Sequence, residues 1–262
     1  MGETGQMKYF LLLFTLLSFI LKADTFLLDG VEFVYRTPQD TDKNSRIMIL
    51  FGGRNWPGKK TLETFRFDAL ADRHSLFLLA PSFRDRNYWE PEKWSGPLLL
   101  RAVTQLEKKY KLTPQKFLFY GYSAGGQCAN LFYAWMPKRV AAWGVHGCGI
   151  YFTAQITKPS PGLISCGLQD RKRFEISRHF LYRYREAEAP IIWKYFNGGH
   201  ELSQQALELA RAWFEALLEG RTADRYGEDD TFRIVPATDG KSIDLEFRNP
   251  LFSGRLEELW RK

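Results

Sequence analysis

The stretch KFLFYGYSAGGQCANLF, residues 116–132, decides the fold. An apolar, aromatic-rich run climbs to Gly121-Tyr122-Ser123-Ala124-Gly125-Gly126, and apolar residues at helical spacing follow at once. The pattern reads as strand, tight turn, helix. So sharp a turn strains the residue at its apex and brings two backbones together, which demands small neighbours. Gly121, Ala124, Gly125 and Gly126 supply them. A bare G-x-S-x-G pattern also arises by chance, and its bland reading is a serine in a glycine-rich loop. The β-rich run before it and the helix after it are the context in which Ser123 stands clear of a sheet as a nucleophile.

Outward from this stretch the same alternation continues. Residues 26–36 alternate as an early strand or hairpin arm, and 46–51 (RIMILF) form a short apolar strand ending in Gly52-Gly53. Helical periodicity covers 61–74, and 76–80 form the next strand. After the loop PSFRDRNYWEPEKW (81–94), a helix runs to about Tyr110. Further strands fall at 116–120, 140–145, 162–166 and 191–196, with helices at 124–136, 174–188 and 201–219. Short apolar strands between helices predict an α/β fold: a mostly parallel twisted sheet with helices on both faces. One domain is expected over 24–219, with 220–262 as a small C-terminal extension packed on it. In that extension Asp239-Gly240, between RIVPAT and SIDLEF, predicts a hairpin turn.

In parallel sheets, functional residues gather beyond the carboxyl ends of the strands. A serine hydroxyl needs a base to take its proton. Of four histidines, His74 and His179 fall within helical patterns. His146 ends a strand and reads as a satisfied buried histidine. His200, in YFNGGHELS, follows the strand 191–196 across a Gly-Gly turn and is the candidate base. The base needs an acid to orient it. No Asp or Glu lies between Glu107 and Asp170, and Glu175, Glu186 and Glu188 fall in a helical pattern. Asp170, at the strand end LISCGLQD, is the candidate acid by elimination and by position. An oxyanion needs backbone N–H donors: Ala124 after the nucleophile, and Gly53 or Arg54 in ILFGGRNWPG. Trp56, Tyr88 and Trp89 are candidate substrate-binding residues, with Arg54, Asn55 and Trp94 on the same loops.

The order Ser123, Asp170, His200 is that of the α/β-hydrolase fold. Over about residues 26–219 the chain resembles that superfamily, through FGGRNW, GYSAGGQ, GLQD and NGGH. GYSAGGQCANLFYAWMPKRVAAW is similar to the secreted serine esterases grouped with polyhydroxybutyrate depolymerases and feruloyl esterases. The resemblance implies two-step acyl transfer, in which Ser123 attacks an ester carbonyl and water then releases the acid. One departure stands out: the His-Gly start common in that family's oxyanion loop is Phe51-Gly52 here. No separate lid or polymer-binding module is visible. Competing expectations are a prolyl-oligopeptidase-type peptidase and a non-catalytic binding protein on the same fold.

Composition bounds the rest. With 262 residues, 45% hydrophobic, the chain is long enough for one large core. Tyr9–Leu21 is an unbroken apolar run between Lys8 and Lys22, too short for a bilayer span and suited to a secretory signal over 1–23. A secreted or periplasmic protein follows, with no stable membrane span after cleavage and a membrane tether if uncleaved. The formal charge is +7, and removing Lys8, Lys22 and Glu3 with that segment leaves +6. Much of the excess lies in RKRFEISRHFLYRYR (171–185), read as a solvated helix face, and no nucleic-acid motif accompanies it. Cys128, Cys148 and Cys166 read as small core residues, with a Cys148–Cys166 bridge as the alternative in an oxidising compartment. No metal and no cofactor is expected. The expected partner is a small-molecule or polymer-linked ester substrate.

Overall fold

Asp29 and Gly30 both take positive φ (50° and 77°), the two-residue turn whose twist suits an antiparallel pair. They join β1 (Ala23–Leu28) to β2 (Val31–Arg36). The computed structural model describes residues 23–84, 87–155 and 157–262, so the expected signal segment lies, but for Ala23, outside the described residues. The sheet goes on through β3 (Arg46–Phe51), β4 (Leu76–Pro81), β5 (Phe117–Tyr122), β6 (Val140–His146), β7 (Gly162–Gly167) and β8 (Ile191–Phe196). Its spatial order is β1-β2-β4-β3-β5-β6-β7-β8. The first two pairings are antiparallel and all the others parallel. The expected mostly parallel sheet is the one observed.

Strands buried on both faces carry apolar residues at every position, and the period of two sends alternate residues to opposite cores. Ile47, Ile49 and Phe51 enter one core with the apolar faces of α3 (Gly96–Tyr110), α4 (Ala124–Trp135) and α5 (Arg171–Glu186). Met48 and Leu50 enter the other, beneath α1 (Gly58–Phe65), α2 (Asp68–Arg73) and α6 (Gln204–Leu218). Two expectations are corrected. The single helix over 61–74 is two, because Arg66 turns left-handed (φ 52°). The break lets Phe65 and Phe67, two residues apart, both reach the Tyr120 ring, at 5.4 and 5.5 Å. Asp239-Gly240 makes no hairpin: residues Ala237–Ser242 form a 3-10 turn. Gly240 lies beneath the Tyr226 ring, where a Cβ would come within 2.5 Å.

Beyond α6, β9 (Arg225–Glu228), β10 (Ile234–Pro236) and β11 (Arg248–Leu251) form a three-stranded antiparallel sheet, followed by α7 (Arg255–Arg261). This segment grips β8. Asn249 Oδ1 accepts the Trp193 amide at 2.7 Å, and Trp260 Nε1 donates to the Trp193 carbonyl at 2.8 Å. Asn249 and Asp229 also accept from the two terminal nitrogens of the buried Arg185 guanidinium of α5.

Lys194, on β8, is 2% exposed, with its ammonium 4.1 Å from the Phe232 ring centroid. Burial lowers its pKa to about 8, against 10.5 ordinarily. Between those two values the unfolded chain holds this proton more tightly than the folded one, so the residue's contribution to stability rises with pH there. Below about pH 8 the folded protein carries the full cost of a buried charge. Lys194→Met is therefore expected to melt above wild type at pH 7. Its advantage should shrink toward pH 10.5, which paired thermal melts check; an advantage that grows with pH contradicts this account.

Candidate active site

Ser123 sits where β5 hands over to α4, with φ 56° and ψ −119°, a conformation that a residue with a side chain rarely adopts. Glycine makes this turn possible on both flanks. A Cβ at Gly121 would come within 2.0 Å of the Gly125 carbonyl, and one at Gly125 within 2.0 Å of the Phe51 carbonyl. Strand, helix and the loop after β3 thus meet at backbone contact. The Ser123 side chain caps nothing in α4 and is left for other work.

The structure brings the three expected residues into one line. Ser123 Oγ lies 2.8 Å from His200 Nε2, and His200 Nδ1 lies 2.7 Å from Asp170 Oδ2. A carboxylate only accepts, so Nδ1 carries the proton and Nε2 is left to accept from the serine hydroxyl. Asp170 is buried, and its other oxygen accepts from Arg173 Nη1 at 3.1 Å. The acid is therefore held from two sides.

His200 arrives on an irregular loop, and its backbone is fastened at four places. Leu168 and Gln169 donate backbone N–H groups to the carbonyls of Phe196 and Gly198, each at 2.8 Å. Tyr122 Oη donates to the His200 carbonyl at 3.0 Å, and its ring stacks on the imidazole at 5.3 Å. His146 Nε2 donates to the Glu201 carbonyl at 2.8 Å. Gly167 lets the loop lie flat, since a Cβ there would come within 2.1 Å of the Gly199 carbonyl. His146 is the satisfied buried histidine expected. Ser165 lies 2.9 Å from its Nδ1, and burial lowers its pKa to about 4, so it stays neutral as a donor. Sequence reasoning missed Tyr122, Arg173 and this use of His146. Tyr122 stands in the variable place of the serine motif, and Arg173 only as one more cation in a basic run.

Of the expected oxyanion donors, Ala124 opens α4, while Gly53 and Arg54 follow β3 on the loop that abuts the first turn of α4. Gly53 is buried against Trp56 and Tyr122, and Arg54 is exposed. Trp56 is half-buried, its ring 5.6 Å from that of Tyr122. Tyr88 is placed otherwise than expected: at 3% exposure it lies beneath the loop, and its hydroxyl accepts the Asn55 amide at 3.2 Å. Trp89 is half-buried on a separate cleft with α4.

The three cysteines are buried free thiols, and burial pushes those of Cys148 and Cys166 up to about 12, which leaves no reactive thiolate. Among the described residues one group has metal-ligand spacing, His74, Glu215 and Glu219. It lies at the opposite rim of the sheet, and Arg73 already pairs with Glu215 at 2.6 Å. No helix among the described residues is long and apolar enough to cross a membrane.

No family model and no curated protein matches the sequence. Solved structures do match in fold. A thermostable esterase superposes with a TM-score of 0.55 at 18% identity over 68% of this chain; the chain spans about half of it, 54%. A poly(3-hydroxybutyrate) depolymerase from Bordetella parapertussis gives 0.54 at 17% identity, covering 76% of this chain and 90% of that one. A ferulic acid esterase gives 0.57 at 14%, covering 75% and 95%. The last two are of the enzyme types that the GYSAGGQ segment resembles. At such identities the likeness is one of fold.

Proposed function

From an α/β-hydrolase fold whose strand ends carry a hydrogen-bonded serine, histidine and aspartate, we propose a secreted serine hydrolase that cleaves carboxylic esters. The observation that carries the reading is the 2.8 Å approach of Ser123 Oγ to a base whose far nitrogen is fixed by a buried carboxylate. Ser123 Oγ attacks the ester carbonyl as its proton passes to His200 Nε2. Asp170 keeps Nδ1 protonated and faces the positive charge that forms on the ring. Amides of Ala124 and of Gly53 or Arg54 receive the oxyanion. The tetrahedral species then collapses, and His200 returns the proton to the departing alcohol. Water, deprotonated by the same nitrogen, attacks the acyl-Ser123 ester and releases the acid.

The test is direct. Mature protein should hydrolyse 4-nitrophenyl acetate and be labelled at Ser123 by a fluorophosphonate. Labelling without turnover of any ester favours the peptidase alternative, and absence of labelling by folded protein sinks the serine-hydrolase reading.

His146 and Tyr122 act in this scheme only through the His200 loop. His146→Leu removes the donor to the Glu201 carbonyl and is expected to lower kcat by about 10- to 100-fold with little change in KM, the cost of a base displaced by less than an ångström. His146→Gln, which keeps a donor, should recover most of that loss. A His146→Leu enzyme with wild-type kcat would show that the loop holds itself.

A further inference from the structure

An open cleft of about 540 Å³ lies along α4, lined by Trp89, Pro91, Leu131, Trp135, Ile150 and Phe152. Its lining is mostly apolar, with Glu90, Glu92, Thr153 and Gln155 as polar members, and two of its walls are exposed: Phe152 at 57% and Ile150 at 38%. Exposed apolar walls around a concave surface mark a binding site. These side chains are held in the open, because the Phe152 amide donates to the buried Asn130 Oδ1 at 2.7 Å and the Cys148 thiol to the Ile150 carbonyl at 3.0 Å.

The cleft is in line with the reaction centre. Gln127, Leu131 and Trp135, spaced by four, form a slowly winding stripe along α4, whose first residue follows Ser123. At 1.5 Å per residue, Leu131 lies about 12 Å along the helix from the serine and Trp135 about 18 Å. The loop beside this stripe starts at the imidazole, where a Gly147 Cβ would lie 3.2 Å from His200. It passes Gly149, whose Cβ would lie 3.6 Å from Gln127 Nε2, and reaches Ile150 and Phe152. Among the described residues, only Glu90 and Glu92 bring charge to the cleft lining, and both are acidic, which disfavours an anionic occupant.

We propose that this cleft binds the distal apolar part of the ester, so that the preferred substrates carry an uncharged chain roughly ten carbons or longer from the scissile carbonyl. The inference rests on the esterase reading above and adds the substrate class. The chain belongs to the acyl or the alcohol side, and two series of esters tell these apart.

Rates should be measured below the micellar range for 4-nitrophenyl acetate, octanoate and dodecanoate, and for ethyl and dodecyl acetate. A methylene fully withdrawn from water is worth about fourfold. Four methylenes in an open cleft should then raise kcat/KM about tenfold from octanoate to dodecanoate if the acyl chain occupies it; if the alcohol does, the ten methylenes that separate ethyl from dodecyl acetate should raise it at least as much. Phe152→Ser and Ile150→Ser should each collapse that long-to-short ratio. A second measurement needs no turnover: Ser123→Ala protein titrated with ethyl dodecanoate or dodecyl acetate should show a saturable change in Trp fluorescence, weakened in the Phe152→Ser background. Acetate turnover with flat ratios in both series and no saturable titration overturns the cleft and leaves the esterase intact. Failure of every ester sinks the esterase reading, and the titration then decides the cleft alone.

Discussion

Ser123→Ala is expected to lower kcat for 4-nitrophenyl acetate by about 10⁵-fold or more, the scale on which removal of a triad nucleophile acts. The loss should fall on kcat, because in the proposed mechanism the hydroxyl is the group that forms the acyl bond. Stability should hardly change. The side chain caps no helix, its one partner is His200 Nε2, and alanine meets the same backbone strain at φ 56° that serine already meets. Steady-state kinetics and a thermal melt on the same preparation check both halves. A folded alanine variant that keeps more than about a thousandth of the wild-type rate would show that the oxygen of Ser123 is not the attacking one.

The second large effect belongs to Asp170→Asn, with an expected fall in kcat of about 10³- to 10⁴-fold. Oδ2 accepts the Nδ1 proton at 2.7 Å while Oδ1 holds Arg173 at 3.1 Å. An asparagine side chain has one carbonyl oxygen for these two donors. If it turns to Arg173, its NH₂ group faces Nδ1, the imidazole shifts to the Nε2–H tautomer and its proton points at the serine it should deprotonate. If it turns to His200, two donors confront each other at Arg173. Neither arrangement supports the charged imidazolium. The fold should survive, since the change is isosteric. Kinetics on Asp170→Asn decide the matter: activity within tenfold of wild type would mean that another group orients His200.

Much of this site was legible because its chemistry imposes local spacing. Glycine on both flanks of Ser123 is demanded by backbone contact at 2.0 Å, and it shows in the sequence as GYSAGG. Asp170 was found by exclusion, in a stretch without other carboxylates. What the sequence left unread depends on approach through space. Asp-Gly occurs twice, at 29–30 and at 239–240, and turns a hairpin only at the first. The second follows Pro236, and its glycine is taken up in seating Tyr226. The break at Arg66 depends on a tyrosine more than fifty residues further on. Tyr122 Oη reaches the His200 carbonyl across 78 positions, a contact that no periodicity announces.

The grip of the last segment on β8 has a consequence for how this molecule meets others. With the mid-strand amide and carbonyl of Trp193 both taken by side chains, a second chain finds no seam to extend on that flank. The opposite flank differs: among the described residues β1 pairs on one side only, and it carries Leu27 at 70% exposure. Any partner that lengthens this sheet by strand addition therefore does so at Ala23–Leu28, immediately beside the expected mature amino terminus.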